Sequence, residues 1–256
     1  MNNNYPPFNS QNQFSSYPTD FEVGLTDENK LDTIQTGIRL GFIKKVYGIL
    51  AIQLLITVFF TTISMSSTSF SKFQLQNLGI FWFCLILTIV LPCVIVCFQS
   101  AMRQTPYNYG VLFAFTFAES YLVSFICSLT NPKFVFMAAF MTFGLVVALT
   151  VYAMTTKTDF TMQGGLFFVL GCGLLMFSLF AMFTNNKLIH IILCVAGIVL
   201  FGLYLIYDTQ LILGNKENAL EIDDYVLASF MLYTDIIYLF LRILELIQLL
   251  NGGSNN

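Results

Sequence analysis

The sequence predicts an all-α membrane protein, a seven-transmembrane-helix bundle behind a disordered N-terminal tail. Three observations predict it. Hydrophobic residues make up 57% of the 256 residues and charged residues 10%, against about 45–50% and about 25% in an ordinary soluble domain. Mean hydropathy is +0.76, and a soluble chain of this length lacks the interior to hide so much apolar surface. Finally, the apolar residues fall into seven runs of the roughly 20 residues that cross a bilayer, while residues 1–35 have a different composition.

That first stretch is rich in Asn, Gln, Ser, Pro, Tyr and Phe and then turns acidic (TDENKLD). It shows no apolar period and cannot bury enough surface to offset its ordering entropy, so residues 1–35 are expected to be a disordered cytosolic tail. It lacks a basic start followed by an apolar core, so the first span is expected to act as its own signal.

The seven spans are Val46–Met65, Leu78–Phe98, Asn108–Leu129, Phe134–Met154, Gly164–Phe183, Leu188–Leu213 and Tyr225–Leu250. Polar linkers such as SSTSFSKFQLQN, TTKTDFTMQ and GNKENALEIDD separate them. Short linkers make successive helices antiparallel neighbours. Together they form one membrane domain over residues 36–250, followed by a short tail, 251–256. Lys30, Arg39, Lys44, Lys45, Arg103, Lys157 and Lys216 lie on the side of the N-terminus, and Lys72, Lys133 and Lys187 on the other. The excess predicts a cytosolic N-terminus.

Several function classes are excluded. A net charge of −3 offers no basic footprint for nucleic acid. Cys84, Cys93, Cys97, Cys127, Cys172 and Cys194 sit inside apolar runs without a second ligand type at metal spacing, and they read as reduced packing residues. One histidine, His190, at the non-cytosolic start of the sixth span, cannot assemble a hydrolase triad or a His-based zinc site. No enzyme and no bound cofactor are expected.

Ionisable side chains inside spans cost about 2.5–3.5 kcal/mol each at mid-membrane, so each needs a reason. They are Glu119 in the third span, Asp208 in the sixth, and Asp235, Arg242 and Glu245 in the seventh. With about 1.5 Å rise per residue, Asp208 lies roughly 7–8 Å and Asp235 roughly 15 Å from the cytosolic end of adjacent helices. Both carboxyls are therefore expected in the cytosolic half, close enough to meet. Glu119 lies at similar depth. Arg103 stands at the cytosolic mouth of the second span, where its long stem can bring a charge to the carboxyls. Two such acids in a low dielectric cannot both ionise cheaply, so the pair responds to cytosolic pH. When ionised it offers oxygen ligands to a hard cation such as Ca²⁺. The other reading is a hydrogen-bonded latch that only joins helices. Glu119 divides in the same way between a proton or cation group and a structural acid.

Asp235, Tyr238, Arg242 and Glu245 are spaced by three, four and three, which puts them on one helix face that must point into the bundle. Arg242 and Glu245 are expected to pair.

Four stretches carry a resemblance: IRLGFIKKVYGILAIQLLIT (38–57), YAMTTKTDFT (152–161), LYLIYDTQLILG (203–214) and LASFMLYTDIIYLFLRIL (227–244). With the seven-span layout they resemble the transmembrane Bax inhibitor motif family, most closely its lifeguard branch. The resemblance implies a bundle with a central helix wrapped by the others, residence in endoplasmic reticulum or Golgi membranes, suppression of cell death, and a pH-sensitive calcium leak. It implies that Asp208 of IYDTQ and Asp235 of LYTDII form a pH sensor, with Arg103 as its latch. The chain departs from the usual last-helix pattern, LYLDIINLF, at Thr234 and Tyr238, and Arg242 is unusual for the family. A cation lining a pore opposes Ca²⁺ passage.

Two functions therefore compete: a calcium leak gated by the aspartate pair, with Ca²⁺ as permeant ion, and a non-conducting regulator that binds other membrane proteins of death or stress signalling. A proton-coupled transporter using the same carboxyls is a third, though no internal repeat is visible.

Overall fold

The structure, a computed structural model, describes residues 20–98, 103 and 106–252, with the backbone alone for residues 20–29. The expectations for residues 1–19 and 253–256 lie outside the described residues. The described residues contain eight long or medium helices and no strand: α1 (Asp20–Ser66), α2 (Thr68–Gln76), α3 (Leu78–Cys97), α4 (Tyr107–Ser128), α5 (Pro132–Thr155), α6 (Gly164–Ala181), α7 (Lys187–Leu213) and α8 (Tyr225–Asn251). A 3₁₀ turn, Thr161–Gln163, leads into α6. All but α2 contain a stretch long and apolar enough to cross a membrane, at Lys30–Ser66, Leu78–Cys97, Tyr107–Ser128, Pro132–Thr155, Thr161–Ala181, Lys187–Leu213 and Tyr225–Asn251. The chain is a multi-pass membrane protein.

Two sequence expectations need correction. Residues 20–35, expected within the disordered tail, are helical and continuous with the first span. No proline lies between Pro18 and Pro92 to interrupt α1, and Glu22, Leu25, Glu28, Lys30, Leu31 and Gln35 are good helix formers. The linker SSTSFSKFQLQN also folds, as α2. Its N-cap is Ser67, whose hydroxyl accepts from the Phe70 amide at 3.3 Å. Its Gln74 is fully buried, while Thr68, Ser69, Lys72 and Gln76 are exposed, so a single polar residue of α2 faces inward.

Contacts divide the chain into Met1–Leu40 and Gly41–Asn256. In the first unit the described side chains include Leu31, Ile34 and Ile38, exposed along α1. The second unit is the bundle. Its central helix, α8, packs on α7, α5 and α4, while α3 lies on α4 and α6 on α7. Core residues such as Val46, Phe115, Leu205, Tyr233 and Leu239 are at most 1% exposed. The outer faces of α3, α5 and α6 carry Phe83, Phe140 and Phe168, exposed by 60–80% and apolar. Buried polar groups inside and bare aromatic rings outside are the arrangement that lipid selects. Pro92 is accommodated within α3.

Where α6 meets α7, glycines make room for tyrosines. A Cβ at Gly164 would stand 2.7 Å from the Tyr207 hydroxyl, and one at Gly171 would stand 2.8 Å from that of Tyr204. The Tyr204 hydroxyl donates to the Phe167 carbonyl at 2.8 Å. Small residues here let a side chain approach a neighbouring backbone and bond to it.

Candidate functional site

The last third of α7 and the middle of α8 build the site. The sequence IYDTQ divides its polar groups around α7. The Thr209 hydroxyl turns back to the Leu205 carbonyl at 2.6 Å. Asp208 points to α8, where its carboxyl lies within hydrogen-bonding reach of Asp235. The two aspartates are 4% and 6% exposed. Asp208 Oδ1 and Asp235 Oδ2 are buried without a hydrogen-bond partner. Ionised carboxylates only accept hydrogen bonds, so two of them bond to each other only through a proton held between them. The structure thus brings together the two acids that depth alone placed near each other.

Gln210 completes the motif and was missed in the sequence, where attention went to ionisable groups. It is fully buried. Its Oε1 accepts from the Phe160 amide at 2.8 Å, and its Nε2 donates to the Thr158 carbonyl at 3.0 Å. The 152–161 and 203–214 motifs therefore meet, one amide side chain reading the backbone of the other segment. Around this contact, Lys216 Nζ donates to the Lys157 carbonyl at 3.0 Å, and the Glu217 amide to Asp159 Oδ2 at 3.3 Å. Bonds from the Thr161 hydroxyl and amide to Asp159 hold its carboxyl below the usual carboxylate range.

Arg103 is not on the aspartate pair. Its Nε and Nη2 donate to both oxygens of Asp224 at 2.8 and 2.9 Å, and its Nη1 lies 2.8 Å from Glu221. The physical reason is solvation: the largely covered Asp224 holds the fork bidentately and the exposed Glu221 adds a second pair while the arginine side chain stays 36% exposed, whereas reaching the aspartate pair would bury it. Asp224 raises the Arg103 pKa further above its ordinary high value, chiefly by accepting these bonds.

Other expected residues fall as follows. Glu119, on α4, is 4% exposed and lies near Tyr233 and Tyr238. Arg242 Nη1 donates to Glu245 at 2.8 Å, the expected pair. Tyr238 stands beside Phe201 of α7. The His190 ring Nε2 sits 3.0 Å from the Thr184 carbonyl, in the turn before α7. Cys84, Cys127 and Cys194 are buried, and Cys93, Cys97 and Cys172 are exposed on apolar faces. Among the described residues no group of three or more His, Cys, Asp or Glu side chains could hold a metal ion.

A second polar feature was also missed. On the opposite side of α8, Thr57 bonds to Ser120 at 2.9 Å and to Tyr233 at 2.8 Å. Gln53 Nε2 donates to Thr116 at 2.9 Å, and Gln74 Nε2 donates to Ser124 at 2.9 Å while its carbonyl accepts from Ser64. The signal was available: Thr116, Ser120 and Ser124 recur every fourth residue through an apolar span, which aligns them on one helix face.

Comparison with known proteins agrees with this architecture. The chain is similar to the human protein named Protein lifeguard 3, with 35% identity over 82% of this chain and 68% of that protein. Its mouse counterpart shows 32% identity over 89% and 72%. A vaccinia virus (strain Lister) protein named Golgi anti-apoptotic protein shows 31% identity over 93% and 95%. Residues 39–254 match the family described as inhibitor of apoptosis-promoting Bax1, and the chain belongs to that Bax inhibitor family.

Proposed function

We propose that this protein is a pH-sensitive calcium leak of an endoplasmic reticulum or Golgi membrane that restrains cell death, gated by Asp208 and Asp235. The observation that carries the proposal is the pair itself: two buried carboxyls on the last two helices, turned toward each other, each with a bare oxygen. What sets it apart from the hydroxyl cluster is that two carboxyls can bond to each other only through a proton held between them. The names of the relatives and the family description support the restraint of cell death, and the viral relative's name supports the Golgi.

The sign follows from the chemistry. A shared proton joins the two carboxyls and keeps α7 against α8. Loss of that proton leaves two like charges in a low dielectric, which repel and separate the helices. The separated carboxylates offer oxygen ligands to a passing Ca²⁺. Flux therefore rises with pH on the side that the pair faces.

Purified protein in liposomes, loaded with a calcium indicator and followed through a pH series, tests this. Wild type is expected to pass Ca²⁺ more rapidly as pH rises. Asp208→Asn and Asp235→Asn are expected to lose that dependence. If both variants keep the wild-type flux and pH profile, the gate is elsewhere. If wild type passes no Ca²⁺ while cells expressing it resist death, the protein acts as a non-conducting regulator through membrane-protein partners.

A further inference from the structure

On the far side of the aspartate pair from the 214–224 loop lies a cavity of about 640 Å³ between α6, α7 and α8. Its polar lining begins with Tyr204 and Tyr238, about one turn beyond Asp208 and Asp235, and continues through Arg242 and Glu245 to Gln248. Gln248 Nε2 donates to the Thr130 hydroxyl at 2.6 Å, in the turn between α4 and α5. The cavity therefore runs along the charged face of α8 from about one turn beyond the aspartates to Gln248.

Two features show a built arrangement. The Arg242 stem lies flat against α7 at Gly197, where a Cβ would stand 3.0 Å from Cγ, 3.1 Å from Cδ and 3.2 Å from Nε. A Cβ at 197 would push this stem aside by a few tenths of an ångström, and the hydrogen bond to Glu245 holds the guanidinium at its end. Their side chains are 24% and 37% exposed, so both charges face open space inside a membrane span. Ionisable groups at that depth face protein or water, and at about 30 Å³ per molecule the cavity has room for on the order of 20 waters. The carboxylate lies toward the far mouth and the guanidinium toward the aspartates.

We propose that this cavity is an aqueous vestibule and that Arg242, set against Glu245, fixes the charge of the ions it admits. A cation entering from the far end meets Glu245 first and then an inner barrier at Arg242. The vestibule deepens the leak described above, because it supplies the ion's path between the aspartates and that end, and Arg242 becomes a specificity-determining residue on it.

Ser178 on α6 lines the same space. The experiment places Ser178→Cys in a chain whose exposed Cys93, Cys97 and Cys172 are replaced by alanine. It compares modification by two membrane-impermeant methanethiosulfonates added at the α4–α5 side, one bearing a sulfonate and one a trimethylammonium. Both are expected to react. Arg242→Gln is expected to shift the ratio of rates toward the cationic reagent by about five- to tenfold, and Glu245→Gln toward the anionic reagent by a similar factor, as a unit charge several ångströms away in partly wet surroundings requires. Opposite shifts cannot come from a shared loss of fold, and either variant alone is sufficient. No reaction with either reagent means that lipid fills the space and overturns the proposal. An unchanged ratio in both variants overturns it too. A chain that reacts with this charge dependence but passes no Ca²⁺ keeps the vestibule and removes the leak. A chain that passes Ca²⁺ while residue 178 stays unreactive does the reverse.

Discussion

Two faces of α8 solve the problem of polar groups in a membrane differently. Tyr233 and Asp235 are two residues apart, about 200° around the helix. Tyr233, fully buried, shares its hydroxyl with Thr57, and Thr57 in turn bonds Ser120. Asp235 faces another acid, with Tyr204 close to both, and each of the two keeps an oxygen bare. Hydroxyls both donate and accept, so a cluster of them can satisfy itself in one arrangement at any pH. Carboxyls facing each other need a proton to do so, and they lose the arrangement with it. The first face joins helices. The second is conditional, and function is expected where satisfaction is conditional.

Asp235→Asn should break the contrast most strongly. An amide donates to Asp208 without any shared proton, so the second face becomes as unconditional as the first. A one-proton equilibrium changes its minor population about tenfold per pH unit, and this slope in the calcium flux should fall to zero in the variant. The thermal midpoint in detergent should hold or rise at pH 8, because a repelling pair has become a bonded one. A variant that melts far below wild type while keeping its pH profile would mean that Asp235 is part of the scaffold.

Tyr233→Phe is the matching change on the other face. It deletes a hydroxyl from a bonded cluster and leaves Thr57 and Ser120 to each other. Interhelical hydrogen bonds in membranes contribute about 0.6 kcal/mol on average and up to about 1.7. Unfolding free energy should drop by an amount in that range, with the pH profile of flux unchanged. A displaced pH profile would show that the two faces are coupled through α8.

How much of this was legible in the sequence depends on what each residue must satisfy. Span lengths were readable because bilayer thickness acts on each helix alone: the second to seventh observed spans fall within three residues of those expected, while the first extends N-terminally to Lys30. The meeting of Asp208 and Asp235 was readable because depth and adjacency both follow from counting residues along a hairpin. Three features were not. Gln210 is one polar residue at a helix end, and only the fold shows that its partners are the carbonyl of Thr158 and the amide of Phe160. The polarity of α2 suggested a loop, because composition cannot tell that one of its polar residues, Gln74, turns inward to Ser64 and Ser124. The sequence places Arg103 near the buried aspartates, whereas Asp224 and Glu221 bind it with the side chain still 36% exposed, where the guanidinium loses less hydration.

The seam between α6 and α7 offers a smaller effect. Gly171→Ala puts a Cβ against the Tyr204 hydroxyl and should displace it from the Phe167 carbonyl. A typical cost is about 1 kcal/mol of unfolding free energy. Adding Tyr204→Phe should recover part of the loss, since the ring without its hydroxyl clears the methyl. A double variant no more stable than Gly171→Ala alone would place the strain in the helix backbones.

Arg103→Ala should have the smallest effect of all. Its pairs with Asp224 and Glu221 lie outside the spans, with the arginine side chain 36% exposed and that of Glu221 69% exposed, where salt screens them and water replaces part of what is lost. The thermal midpoint and the pH profile of flux should both stay close to wild type. The change should appear locally, as faster amide exchange across residues 216–224, with the difference between wild type and variant shrinking as salt is added. This outcome separates two jobs for the arginine. If it only fastens the loop ahead of α8, exchange changes and gating does not. If Arg103→Ala flattens the pH profile as Asp235→Asn does, the guanidinium leaves Asp224 in another state and reaches the buried carboxyls. The loop tie would then be the resting position of a moving latch.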